Sequence, residues 1–371
     1  MRILLVGRLP SGEIGGACAY LALLAEGLSS HGEAVTVLHP HGAMEGAAPL
    51  PYDVVGAQAR PIGPGLYGRA AGEVLAMRRS IASLRTDPRF EVVHLHYANA
   101  ADLALLPPLR RLGKPLLVTA HCGAAWKHLR FAPRWSARRL ALASRLLCLT
   151  RSQADLFRSA GFPPDRLRAA PTAVPTAFFS PVPRREREGP PRCLFLGRIV
   201  PEKGIDLLLA ALAQIPRERR PLLDLMGPCD ASYRARIERS AARAGLQDAV
   251  RFREASRRPS ERIAALDAAD LYVHPSRSDV APLAVIEAMA RGLPVAASAL
   301  PGTTEILAGA GSLFPPGDAG RLAETLSGLL ADAPGRARLG EKARARARDF
   351  TPEALVRAHL DLYAEAAGGR R

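Results

Sequence analysis

Leu194-Phe195-Leu196-Gly197-Arg198-Ile199-Val200-Pro201-Glu202-Lys203-Gly204-Ile205-Asp206 begins as an apolar strand, turns at a glycine and enters a helix. Two cations, Arg198 and Lys203, bracket the loop. Strand, loop and helix in that order make half of a β-α-β unit. In open α/β sheets the loop at the carboxyl end of a strand is where ligands sit, next to a helix N-terminus. Lys203 is the more informative cation, because lysine occurs only at Lys114, Lys127, Lys203 and Lys342 among 51 Lys plus Arg. A compact ammonium with three donors suits a cluster of phosphate oxygens. The plainer reading is a solvated lysine in a first helical turn, a place the helix macrodipole makes unfavourable.

The same rhythm extends in both directions. Before this stretch, Arg2–Gly7, Ala34–His39, Glu91–His96, Leu116–Ala120 and Arg145–Leu149 read as strands, with helices at Gly15–His31 and Leu66–Leu84. After it, Leu222–Met226, Val250–Phe252, Leu271–His274 and Pro294–Ala297 read as strands, with helices at Gly204–Gln214 and Tyr233–Ala244. Such alternation predicts parallel sheets covered on both faces. Between the two series, Pro171 to Pro191 holds six prolines and the charge run Arg184 to Glu188, the best linker. With 371 residues, two doubly wound α/β domains are expected. They are placed at 1–182 and 183–350, with a C-terminal helix at 351–367.

Composition narrows the function classes. At 48% hydrophobic and 23% charged the chain is globular, and no apolar run is long enough to span a membrane. The short apolar start reads as a buried strand rather than a signal peptide, and five cysteines without Cys-x-x-Cys spacing suit a reducing cytoplasm. The net charge of +16 favours acidic partners, although arginine-rich codon usage accounts for such a balance equally well. Only 5% of residues are aromatic and no nucleic-acid-binding signature occurs, so nucleic acid is not expected as a partner.

Two further segments carry chemistry. Arg8-Leu9-Pro10-Ser11-Gly12-Glu13-Ile14-Gly15-Gly16 leads from the first strand into a helix, and Gly15 and Gly16 let backbone N–H groups approach an anion. It lacks Gly-x-Gly-x-x-Gly spacing, so by itself it is no more than a glycine turn. Pro275-Ser276-Arg277-Ser278-Asp279-Val280-Ala281-Pro282-Leu283-Ala284-Val285-Ile286-Glu287-Ala288-Met289-Ala290-Arg291-Gly292-Leu293-Pro294-Val295 runs from a strand end through a loop and a helix to the next strand. Glu287 stands in an apolar stretch, so its carboxylate needs a partner, and ligand hydroxyls are good ones.

Together these stretches resemble the retaining glycosyltransferases of family 4, which have the GT-B fold of two Rossmann-like domains facing across a cleft. The resemblance covers nearly the whole chain. Gly15-Gly16 stands where the family has its glycine-rich loop, and His121 where a histidine follows a central strand. Gly197-Arg198 and Lys203-Gly204 match Gly-Arg-x-x-x-x-Lys-Gly, and Asp279-x7-Glu287 matches Glu-x7-Glu. The resemblance implies that Arg198 and Lys203 hold and stabilise a leaving nucleoside diphosphate. It also implies that Glu287 accepts from the ribose hydroxyls and that Asp279 faces the transferred sugar. His121 would lie beside the reacting centre, and Gly15, Gly16, Pro282 and Leu283 would line the donor site. No metal is expected, in keeping with the absence of Asp-x-Asp from the sequence.

Two departures bear on donor choice. Asp279-Val280-Ala281-Pro282 replaces the family's Glu-Gly-Phe-Gly, so the acid is one methylene shorter and Pro282 has no N–H to give. Pro171-Thr172-Ala173-Val174-Pro175 replaces Pro-Asn-Gly-Val-Asp at the linker. The acceptor belongs to the first domain, where His96, Trp126, Arg130 and Trp135 are its expected contacts. The basic, aromatic segment from Trp126 to Arg139 would meet a sugar, a phosphate or an anionic membrane, or else is a surface helix with solvated arginines. The sequence thus predicts metal-independent, retaining transfer from a nucleotide-diphosphate sugar to a hydroxyl of a glycan, lipid-linked or natural-product acceptor. An epimerase of the same fold and a non-catalytic nucleotide-sugar-binding protein are the alternatives.

Overall fold

The computed structural model describes residues 1–10, 15–41, 50–62, 65–84, 89–97, 99–121, 133–181, 189–254, 256 and 258–368. The chain divides into two compact units, Met1–Ala173 with Pro352–Arg371, and Val174–Thr351.

In the first unit, β1 (Arg2–Val6), β2 (Ala34–His39), β3 (Asp53–Gly56), β4 (Val92–Tyr97), β5 (Leu116–Ala120), β6 (Arg145–Cys148) and β7 (Leu167–Ala169) form a parallel sheet in the order β3-β2-β1-β4-β5-β6-β7. Helices α1 (Gly16–Ser30), α2 (Gly65–Ser83), α3 (Leu106–Arg110), α4 (Pro133–Leu140) and α5 (Arg151–Ser159) connect them. Alternation along each strand feeds two cores. Leu4 and Val6 of β1 join Leu95, Val118 and Leu146 on one face, while Ile3 and Leu5 join Leu24, Leu28, Leu117 and Leu147 on the other. Every residue of β4 and β5 is buried, so His94, His96 and Thr119 lie in the interior with the apolar residues around them.

The second unit repeats the plan. Its strands β8 (Arg192–Leu196), β9 (Leu222–Met226), β10 (Val250–Arg253), β11 (Leu271–His274), β12 (Val295–Ser298) and β13 (Ser312–Phe314) lie in the order β10-β9-β8-β11-β12-β13. Helices α6 (Ile205–Gln214), α7 (Ala231–Arg243), α8 (Pro259–Asp267), α9 (Leu283–Ala290), α10 (Pro301–Leu307), α11 (Ala319–Ala331) and α12 (Ala333–Ala347) complete it. Asp230, Asp318 and Asp332 cap α7, α11 and α12 through side-chain bonds to backbone N–H groups. In both sheets the strand order reverses beside the first strand, between β1 and β4 and between β8 and β11. Those switch points open at the carboxyl ends, where the loops bearing the sequence motifs emerge.

The last helix, α13 (Pro352–Ala366), belongs to the first unit. Val356 meets α1 where Gly27 leaves no room for a Cβ, and Leu355, Leu362 and Tyr363 are buried in the first unit's core. The sequence placed the domain break at 182/183; the chain changes unit between Ala173 and Val174. The reason is packing: Val174 and Phe178 are buried in the second unit's core, and the Val174 N–H donates to the Phe350 carbonyl at 3.1 Å. The charge run Arg184 to Glu188 lies outside the described residues.

Candidate active site

After β8 the chain makes a 3-10 turn, Pro201–Lys203, and enters α6 through Gly204 at φ +70°. A side chain at position 204 would strike the Pro275 carbonyl, so glycine allows the Lys203 loop to lie directly on the loop that leaves β11. Arg277 fastens the two loops. Its N–H donates to the Glu202 carbonyl at 2.8 Å, and its guanidinium grips Asp206 through two bonds of 2.8 and 2.9 Å.

This register brings Lys203 to Asp279, and the Lys203 ammonium donates to Asp279 Oδ2. His274 Nε2, buried at the end of β11, lies 3.2 Å from the same oxygen. The Val280 N–H donates to Oδ1 at 3.1 Å. Burial alone would raise the Asp279 pKa, but His274 and the Lys203 ammonium outweigh it and hold the carboxyl well below its usual range. His274 is itself pushed down by burial, against the pull of Asp279. Arg198, by contrast, is exposed and has no ion-pair partner among the described residues. A Lys–Asp pair already formed, on a loop that also carries an open guanidinium, can receive an anion without first being assembled.

Pro282 stands at the N-cap of α9 in extended conformation and Leu283 opens the helix. The Val285 N–H donates to the Pro282 carbonyl at 3.1 Å, which leaves the N–H groups of Leu283 and Ala284 at the helix start for a ligand. Behind them Glu287 is 1% exposed. Oε1 is paired with Arg262 of α8, and Oε2 is buried with no hydrogen-bond partner among the described residues.

In the first unit, Gly15 is the extended N-cap of α1 and Gly16 its first residue, with no acidic side chain in the first turn. Ser11 to Ile14 lie outside the described residues. Arg8 is already neutralised, by Glu73 at 2.6 Å and Asp102 at 3.0 Å. His121, just past β5, is partly exposed; its Nε2 shares a proton with His96 Nδ1 at 3.0 Å, and its ring sits edge-on to Tyr20 at 4.7 Å. Burial, then repulsion from His359, pushes the His121 pKa down to about 3, so its imidazole is neutral. Behind it His94 bonds Tyr363 and Thr119, each at 2.7 Å, and Tyr20 bonds His359 of α13 at 3.2 Å.

His96 requires a correction. It was expected on the acceptor surface, but it is 3% exposed because β4 is buried on both faces, and it supports His121 from behind. Trp135 is 42% exposed on α4 with Arg139 lying 5.6 Å above its ring. Trp126 and Arg130 lie outside the described residues. Sequence reasoning missed His274, Arg262 and Tyr20. His274 could have been found as the polar end of an apolar strand, whereas Arg262 sits in an ordinary amphipathic helix without any signal. Among the described residues no three His, Cys, Asp or Glu side chains converge as a metal-binding group.

Residues 179–346 match the family model described as glycosyl transferases group 1, and residues 14–178 match glycosyltransferase family 4. The D-inositol 3-phosphate glycosyltransferase of Xylanimonas cellulosilytica is 32% identical over 96% of this chain and 93% of its own. That of Salinispora tropica is 29% identical over 97% and 83%. Among solved structures, sucrose-phosphate synthase from Thermosynechococcus elongatus superposes with a TM-score of 0.84 at 24% identity, over 98% of both chains. Anabaena HepE in complex with UDP-glucose gives 0.79 at 18%, over 98% of this chain and 100% of its own. These structural likenesses show the GT-B fold.

Proposed function

The chain belongs to glycosyltransferase family 4 and is a glycosyltransferase, and from that premise we propose that it moves a sugar from a nucleotide-diphosphate donor to a hydroxyl-bearing acceptor, with retention of anomeric configuration and without a metal ion. The observation that carries this reading is the Lys203–Asp279 pair at the switch point of the second sheet, on a loop that also carries the exposed Arg198. Negative charge grows on the diphosphate as the bond to the sugar breaks. Lys203, held in place by Asp279, and Arg198 stabilise that charge more in the transition state than in the ground state. Lys203 has three N–H donors; one goes to Asp279 and two remain for phosphate oxygens. Glu287 supplies the acceptor for the ribose through Oε2, and the amides of Leu283 and Ala284 at the start of α9 meet the phosphates.

The neutral His121 contributes a hydrogen bond rather than a charge, at the carboxyl end of β5, in the unit where the acceptor is expected. Two curated relatives are named for D-inositol 3-phosphate, which places phosphorylated cyclitols among the acceptors to test. The arginines of α4 and Trp135 supply a surface for an anionic membrane if the acceptor is lipid-linked.

The test is a calorimetric screen of nucleotide sugars, then mass spectrometry of reactions with candidate acceptors, and NMR of the product's anomeric centre. Transfer is expected to continue in excess EDTA. Loss of activity in EDTA with recovery in magnesium or manganese would overturn the two-cation mechanism, and conversion of the donor without acceptor would mark an epimerase.

A further inference from the structure

Glu287 is a buried carboxylate with one oxygen satisfied and one not. The satisfied oxygen meets Arg262, whose guanidinium also lies 5.4 Å from the ring centre of Phe178. Phe178 is itself fully buried in the 3-10 turn Thr176–Phe179, so the arginine is held on one side by an aromatic ring and on the other by the acid. Its side chain is 18% exposed, and burial lowers its pKa to about 10, which leaves it a cation at neutral pH. Lys203 is engaged by Asp279, and Arg291 by Asp267. An isolated carboxylate in this apolar helix would take up a proton rather than remain charged.

We propose that Arg262 is a positioning residue for donor binding: it holds Oε1 of Glu287, keeps the carboxylate ionised and leaves Oε2 as a charged acceptor for a nucleotide hydroxyl. This rests on the reading of Glu287 as the ribose contact. The unpartnered, buried Oε2 is the mark of a site completed by a ligand, since a native buried acceptor seldom lacks a donor. The division of labour follows from geometry. A guanidinium gripping both oxygens would block the ribose, whereas one ion-paired to Oε1 alone orients the acid and does not compete.

The experiment is a double-mutant cycle read by calorimetry, using whichever of UDP, GDP and ADP binds the wild-type protein. Arg262→Met keeps a long apolar stem against Phe178 and removes the charge. It is expected to weaken nucleotide binding about ten- to hundredfold, the size of a charged hydrogen bond. Arg262→Lys should recover most of that loss. In a Glu287→Gln background, Arg262→Met should change affinity by less than about threefold, because the two act as one unit. Equal losses in both backgrounds would assign Arg262 to packing on Phe178 alone and overturn the proposal, as would unchanged or tighter binding by Arg262→Met. Wild-type affinity in Glu287→Gln, or no binding of any of the three nucleotides, would instead remove the ribose reading itself. Thermal melts accompany each variant, and Arg262→Gln replaces Arg262→Met if the latter does not fold.

Discussion

Lys203 donates to Asp279, so the candidate phosphate cation and the candidate sugar-facing acid are partners in one ion pair. Each is 17% exposed, buried enough for the pair to be ordered and open enough for a ligand to reach it. Asp279 fixes the ammonium in place, and Lys203 together with His274 keeps the acid ionised. One residue therefore serves the other before any donor arrives.

Lys203→Ala removes a preorganised donor at a developing anion and is expected to cost ~2.7–4 kcal/mol, mainly in kcat. Steady-state kinetics with the identified donor checks it. A variant with unchanged kcat would return Lys203 to the role of a surface cation. The same change should raise the Asp279 carboxyl toward its ordinary range, because its nearest positive charge is gone.

Much of this was legible because both signals are local. The glycine turn after β8, one of only four lysines in an arginine-rich chain and the acid in the apolar run Val285–Ala290 all stand out in one dimension. The central strands were legible for the same reason, since short, mostly apolar runs bounded by turns mark strands buried on both faces, even where His94 and His96 interrupt the run in β4. The short outer strands β3, β7 and β13 were not read, as three or four residues beside turns carry no period to detect. Arg262 and His274 were invisible for a different reason. Their partners, Glu287 and Asp279, are brought to them only by packing of α8 on the linker turn and by the exit of β11 from the sheet.

Arg291 should prove one of the costliest residues to remove. It is 6% exposed, grips Asp267 through bonds of 2.7 and 2.8 Å, and donates to the carbonyls of Phe178 and Ser180. Arg291→Ala leaves Asp267 and those carbonyls without their donor, at about 3–5 kcal/mol. Denaturant titration reads this directly, and a loss below about 1 kcal/mol, the scale of surface pairs, would contradict it.

Stability should fall with acid because the first unit folds around neutral histidines. Burial pushes His359 and His39 down to about 4, and places His94 and His96 well below the ordinary value. In the unfolded chain the same rings take up protons near pH 6.5. Between those values the unfolded state binds more protons, so stability present above pH 6.5 is lost as pH falls toward 4. The slope is about 1.4 kcal/mol per pH unit for each such histidine. Urea titrations at pH 7.5, 5.5 and 4.5 check the sign, and a flat profile would mean that these rings are protonated without unfolding.

The acceptor side is tested through α4. Arg134, Trp135 and Arg138 are exposed, whereas Ser136 and Leu140 are buried, so the helix presents three basic or aromatic side chains outward and anchors itself inward. Arg139 lies over the Trp135 ring, which keeps a cation and an aromatic surface together. A short face of this kind binds by charge rather than by insertion, since it has no long apolar stripe. Anionic vesicles should therefore sediment the protein at low salt and release it at high salt, with about 1 kcal/mol for each cation at the surface. Replacing Arg134, Arg138 and Arg139 by glutamine should abolish that binding while leaving donor affinity unchanged, because none of the residues assigned to the donor lies on α4. Equal, negligible vesicle binding by both proteins would reject membrane contact. Trp135 would then be left to contact a soluble acceptor, and Trp135→Ala should raise KM for that acceptor without moving the affinity for nucleotide.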